Sequence, residues 1–87
     1  MGDVTHNTEA EQFEISMDGG KAILQYGIKG DRILIFHTEV PPVFRGRGYG
    51  DLLARTALDY AREQSLTVEP LCPFVRAFID RHPEYRS

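Results

Sequence analysis

The chain has 87 residues, a formal charge of −3, and 41% hydrophobic and 26% charged side chains, the balance of a folded globular chain rather than a disordered or collagenous one. That length supports one hydrophobic core, and the acidic balance excludes a surface devoted to neutralising nucleic-acid phosphates. A lone Cys72 excludes a disulfide framework and a cysteine-built zinc site.

Met1 to Glu11 is polar and aperiodic, so residues 1–11 read as a disordered tail and 12–87 as the domain. The same start lacks the basic and apolar regions of a signal peptide, and no apolar run reaches bilayer length, so the expected location is cytoplasmic. Phe13, Ile15 and Met17 alternate with polar neighbours as in a half-buried strand, and Asp18-Gly19-Gly20-Lys21 supplies a tight turn. A second strand runs from about Ala22 to Ile28, and Lys29-Gly30-Asp31 turns the chain again. The third strand, Arg32 to Val40, is apolar on both faces at first, the pattern of a central strand covered on two sides, and Pro41-Pro42 stops it. After Gly50, the positions Leu52, Leu53, Thr56, Ala57, Tyr60 and Ala61 recur at helical spacing, with Asp51 in the first turn where the helix dipole favours an acid. Leu66 to Glu69 forms a short strand closed by Pro70, which a right-handed crossover places parallel to the third. Pro73 opens a second helix with Phe74, Val75, Phe78 and Ile79 on its apolar face, ended by His82-Pro83. The expected order is βββαβα, an α+β domain with a mixed central sheet. A domain this small buries only about 60% of its unfolded surface, so a ligand or a second copy would stabilise it; a monomer or weak homodimer is expected.

A loop that follows a buried strand and opens a helix gathers unpaired backbone N–H groups, and glycines let an anion approach them. Arg45-Gly46-Arg47-Gly48-Tyr49-Gly50 is such a loop, with two guanidinium groups flanking the anion position, and a pyrophosphate suits it. The spacing matches neither the phosphate loop nor the dinucleotide fingerprint. The plainer reading is a turn whose glycines relieve strain and whose arginines are solvated.

Arg45-x-x-Gly48-x-Gly50 between a strand and a helix resembles the coenzyme A-binding motif of the Gcn5-related N-acetyltransferases. The longer series His37-Thr38-Glu39-Val40-Pro41, Arg45-Gly46-Arg47-Gly48, Pro70-Leu71-Cys72 and His82-Pro83-Glu84-Tyr85 is similar to a subfamily of very small members, and the resemblance extends from Phe13 onward. It implies that acetyl-coenzyme A is the cofactor and an amine, on a small molecule or a protein lysine, is the acceptor. It also implies that the pantetheine arm lies in the split between the third and fourth strands, near a backbone donor at Glu39 and Val40. Cofactor contacts are accordingly expected at Val40, Arg45, Gly46, Arg47, Gly48, Tyr49, Gly50 and Asp51. Larger relatives carry an additional N-terminal strand and helices that shape the acceptor pocket, and this sequence reads as lacking them.

Cys72 precedes Pro73 and is the expected N-cap of the last helix, where the dipole favours a thiolate. The resemblance places it at the acetyl end of the cofactor, as an acetyl acceptor or as a proton donor to the departing thiolate; the alternative is a packing cysteine. His37 and Glu39 lie two apart on a strand and share a face, so either could take the proton an amine must lose, or both could be plain polar residues, Glu39 paired with Arg45 or Arg47. Arg76 and Arg81 are candidates for the adenosine end, and His82, Glu84 and Tyr85 for docking the C-terminus onto the sheet. His6 carries no functional expectation, and the three histidines are too scattered to imply a metal site. The leading reading is an acetyl-coenzyme A-dependent N-acetyltransferase. A non-catalytic coenzyme A-binding module is the first alternative. A nucleic-acid-binding domain using the Arg45 and Arg47 loop is disfavoured by the charge balance.

Overall fold

The alternating segments pair as neighbours, each through a short turn rich in glycine or in polar residues. A computed structural model describes residues 3–85, running β1 (Val4–Asn7), β2 (Gln12–Met17), β3 (Gly20–Lys29), β4 (Arg32–Glu39), a 3₁₀ turn (Pro42–Phe44), α1 (Tyr49–Glu63), β5 (Thr67–Pro70), α2 (Pro73–Arg81) and a second 3₁₀ turn (Pro83–Tyr85). The five strands lie side by side in chain order, antiparallel from β1 to β4, with β5 parallel to β4. Gly19 makes the first hairpin possible at φ +88°, a region closed to most side chains. The fold class is the mixed α+β arrangement expected, with one strand more at its start.

That strand corrects the expected tail: Val4–Asn7 pairs antiparallel with β2, His6 opposite Phe13. Residues 1 and 2 lie outside the described residues. His6 holds the strand down by packing as an aromatic, stacked on Phe13 at 4.2 Å between centroids and edge-on to Tyr60 at 4.6 Å. Its Nε2 hydrogen-bonds the Tyr26 hydroxyl at 2.5 Å. Three elements supply that nest, so the local sequence around His6 gives no sign of it. The N-terminal strand read as missing is therefore present, joined to β2 by a turn at residues 8–11 with no helix between them.

One face of the sheet carries the core. Phe13 and Ile15 of β2, Ala22 and Leu24 of β3, and Ile33 and Ile35 of β4 pack on Leu53, Ala54, Ala57, Leu58 and Ala61 of α1 and on Val75 and Phe78 of α2. Both helices cover this same face, so the expectation that β4 is covered on two sides fails: Leu34 is half-buried and Phe36 is 50% exposed. Phe36 lies over Gly27 on the open face, where a Cβ would meet its Cε2 at 3.0 Å. The buried stripe of α1 is also turned slightly from its expected phase, leaving Leu52, Thr56 and Tyr60 on the flank.

The C-terminus docks on the helices rather than on the sheet. The Tyr85 hydroxyl donates to Asp59 of α1 at 2.9 Å, Arg62 donates to the Glu84 carbonyl at 2.6 Å, and the His82 ring stacks on Phe78 at 4.1 Å. Among the described residues no helix is long and apolar enough to cross a membrane.

Candidate functional site

β4 and β5 are paired only from Arg32 opposite Thr67 to Ile35 opposite Pro70. Proline cannot donate onward, and one last bond, from the Cys72 N–H to the Ile35 carbonyl at 2.9 Å, closes the ladder. Beyond it β4 runs on to Glu39 without β5 beside it, so the two strands open a split. On its other side β4 carries a bulge. Gln25 pairs with His37 and Tyr26 with Ile35, so Phe36 is the extra residue. A bulge bends its strand and exchanges its faces. Ile33 and Ile35 face the core before it; Thr38 and Val40 turn inward after it, while His37 and Glu39 share the open face.

The loop after β4 is tied back to the strand end, the Arg45 Nε donating to the Val40 carbonyl at 3.1 Å. Gly46 and Gly48 take φ +80° and +84°, and Gly48 is the N-cap of α1. The first intrahelical bond runs from Leu52 N–H to the Gly48 carbonyl at 3.0 Å, so the N–H groups of the first turn have no carbonyl within the helix and face the loop. Nothing would lie within 4 Å of a Cβ at Gly46 or Gly48. Open space above a left-handed glycine at a helix N-terminus is a cradle suited to an anion, so the residues present fit a diphosphate.

A cavity of about 800 Å³ joins the split to this loop. Its wall brings together His37, Glu39 and Val40 of β4, Arg45, Gly46 and Gly48 of the loop, and Tyr49, Gly50 and Asp51 of α1. It does not include Arg47, whose guanidinium stands 5.9 Å from the Phe44 ring centroid. Thr38, Phe44 and Phe74 also line it, none of which the sequence reading had placed there. Phe74 carries helical spacing that reads as core, and Thr38 turns inward only because the bulge reverses the strand's faces. Glu39 pairs with His37, Oε1 to Nε2 at 3.3 Å, and not with an arginine. Arg81 pairs with Asp51 at 3.4 Å and Arg76 donates to the Pro70 carbonyl at 3.3 Å, so both considered for the adenosine end are engaged within the protein.

Cys72 caps α2 as expected but is 5% exposed and lies behind the cavity wall. Burial works to raise its thiol pKa. The polar groups around it, the Val75 N–H, the Thr38 hydroxyl, the Phe74 N–H and the Thr38 N–H, work the other way and prevail, holding the thiol below its ordinary value. The Cys72 Sγ lies 3.6 Å from the Thr38 Oγ1.

Comparison with known proteins shows the family of the chain. A family model described as GCN5-related N-acetyl-transferase matches residues 12–87. Protein NATD1 of Bos taurus is 36% identical over 83 residues, covering 92% of this chain and 74% of the relative. The Mus musculus protein of that name is 35% identical over 83 residues, covering 92% and 76%, and the Danio rerio one 34% over 87 residues, covering 94% and 79%.

Proposed function

Because the chain belongs to the GCN5-related N-acetyltransferase family, we propose that it binds acetyl-coenzyme A in the cavity beside the β4–β5 split and transfers the acetyl group to an amine. The observation that carries this reading is the continuity of one cavity from the diverging end of β4 to the left-handed glycines before α1. The diphosphate would sit on Gly46, Gly48 and the first N–H groups of α1, with Arg45 beside it. The thioester would then lie along Thr38 to Val40, where its carbonyl carbon supplies the electrophile.

An attacking amine must be neutral, and His37 and Glu39 are the titratable pair on the cavity wall next to that position. Their contact, Oε1 to Nε2 at 3.3 Å, keeps the imidazole and the carboxylate side by side on that wall. Direct attack by the amine is favoured over an acetyl-Cys72 intermediate, since Cys72 as a residue is 5% exposed and is not part of the cavity lining. The same burial favours a second reading, a coenzyme A-binding module without turnover in which Cys72 packs the core.

Titration with acetyl-coenzyme A, followed by calorimetry and by amide shifts across residues 40–51, tests the site. Saturable binding centred on those amides is expected, and release of free thiol on adding amines separates the enzyme from the module. Absence of binding would remove both readings.

A further inference from the structure

Among the described residues Thr38 is the one cavity-lining residue whose side chain hydrogen-bonds Cys72. The thiol behind the wall and the space in front of it therefore meet at one hydroxyl. That hydroxyl accepts from Sγ and, like any hydroxyl, can still donate its own hydrogen. Behind it the sulfur stands at the N-terminus of α2, where the helix dipole favours a thiolate over a neutral packing thiol.

We propose that the Thr38 hydroxyl relays a proton from the buried Cys72 sulfur to the sulfur of coenzyme A in the cavity, so that Cys72 protonates the leaving group without entering the site. The proposal rests on the acetyl-coenzyme A site described above. As the acetyl carbon–sulfur bond breaks, Oγ1 gives its hydrogen to the departing sulfur and takes the Sγ hydrogen. Cys72 is left as a thiolate at the N-terminus of α2. The attacking nitrogen sheds its proton to solvent, and Cys72 regains one from solvent through the same hydroxyl once the thiol product has left. Each cycle thus converts one thioester and one amine into one amide and one thiol. The other titratable or charged groups on the packed elements are Arg32, His37 and Glu39 on β4, Glu69 on β5, Tyr49, Asp51, Arg55, Asp59, Tyr60, Arg62 and Glu63 on α1, and Arg76, Asp80 and Arg81 on α2.

The test needs no acceptor amine. Cys72 is titrated by the ¹³C shift of its Cβ with coenzyme A or desulfo-coenzyme A bound, in the wild-type chain and in Thr38→Val and Thr38→Ser. Two sulfurs joined through one hydroxyl titrate as a coupled pair. Coenzyme A should therefore displace the Cys72 titration relative to desulfo-coenzyme A in the wild type and in Thr38→Ser, and the displacement should vanish in Thr38→Val. Identical titrations with both ligands in the wild type, or a displacement that survives in Thr38→Val, would overturn the relay alone. Failure of either ligand to bind the wild type would overturn the site and the relay together.

Discussion

Gly50 and Phe74 touch so closely that a Cβ on Gly50 would stand 2.7 Å from the Phe74 Cζ. The contact joins the first turn of α1 to the first turn of α2, at the place where both line the cavity. It explains why the last glycine of the loop lies inside the helix, where glycine is otherwise unfavourable: it makes room for a ring.

Gly50→Ala should push the Phe74 ring, which is 38% exposed and free to swing outward, rather than break the helix. The expected stability loss is about 1 kcal/mol, at the low end for overpacking, with a larger loss of acetyl-coenzyme A affinity because the cavity wall moves. In a Phe74→Leu background the alanine should cost less. A double-mutant cycle on thermal unfolding checks this, and strict additivity would contradict the contact.

Gly48→Ala behaves differently, because no atom opposes its Cβ and only the φ of +84° does. The left-handed backbone should cost about 1 kcal/mol, and Gly48→Asn less, since asparagine tolerates that region. If the added side chain also blocks approach to the first-turn N–H groups, calorimetry should show acetyl-coenzyme A affinity falling by more than stability does.

His6 should make the protein acid-sensitive. Burial lowers its pKa below 6.5, so the folded state binds its proton less readily than the unfolded chain. Stability from this group is therefore fully present above that unfolded value and declines as pH falls through it towards the folded one. Denaturant midpoints should drop across this window in the wild type. In His6→Phe, which keeps the aromatic packing but cannot titrate, the drop should be smaller.

Cys72 combines a lowered pKa with burial at 5% exposure, two properties with opposite effects on reactivity. Alkylation against pH should show a midpoint below that of a free thiol, yet with a slow limiting rate. Bound coenzyme A should slow it further. A fast, cofactor-indifferent reaction would mean that the helix start opens readily and that the thiol is not held behind the wall.

Local pattern was enough to place most elements. Alternation at Phe13, Ile15 and Met17 and helical spacing after Gly50 gave β2 and α1, and Pro73 and His82-Pro83 marked the ends of α2. These follow from periodicity and backbone restriction, which act within a few residues and are therefore written in the chain. The glycine loop and its place between strand and helix are legible for the same reason. Only the tertiary structure decided that His6 is packed, because its partners come from β2, β3 and α1. It also decided that one sheet face stays open, since nothing in the two amphipathic helices says that both bury against the same side. The layout of the cavity wall is the least legible of all. A single bulged residue, Phe36, reverses the faces of β4 and turns Thr38 inward against Cys72, while His37 and Glu39 on either side of it also line the cavity; sequence alternation, counted without the bulge, cannot reveal it.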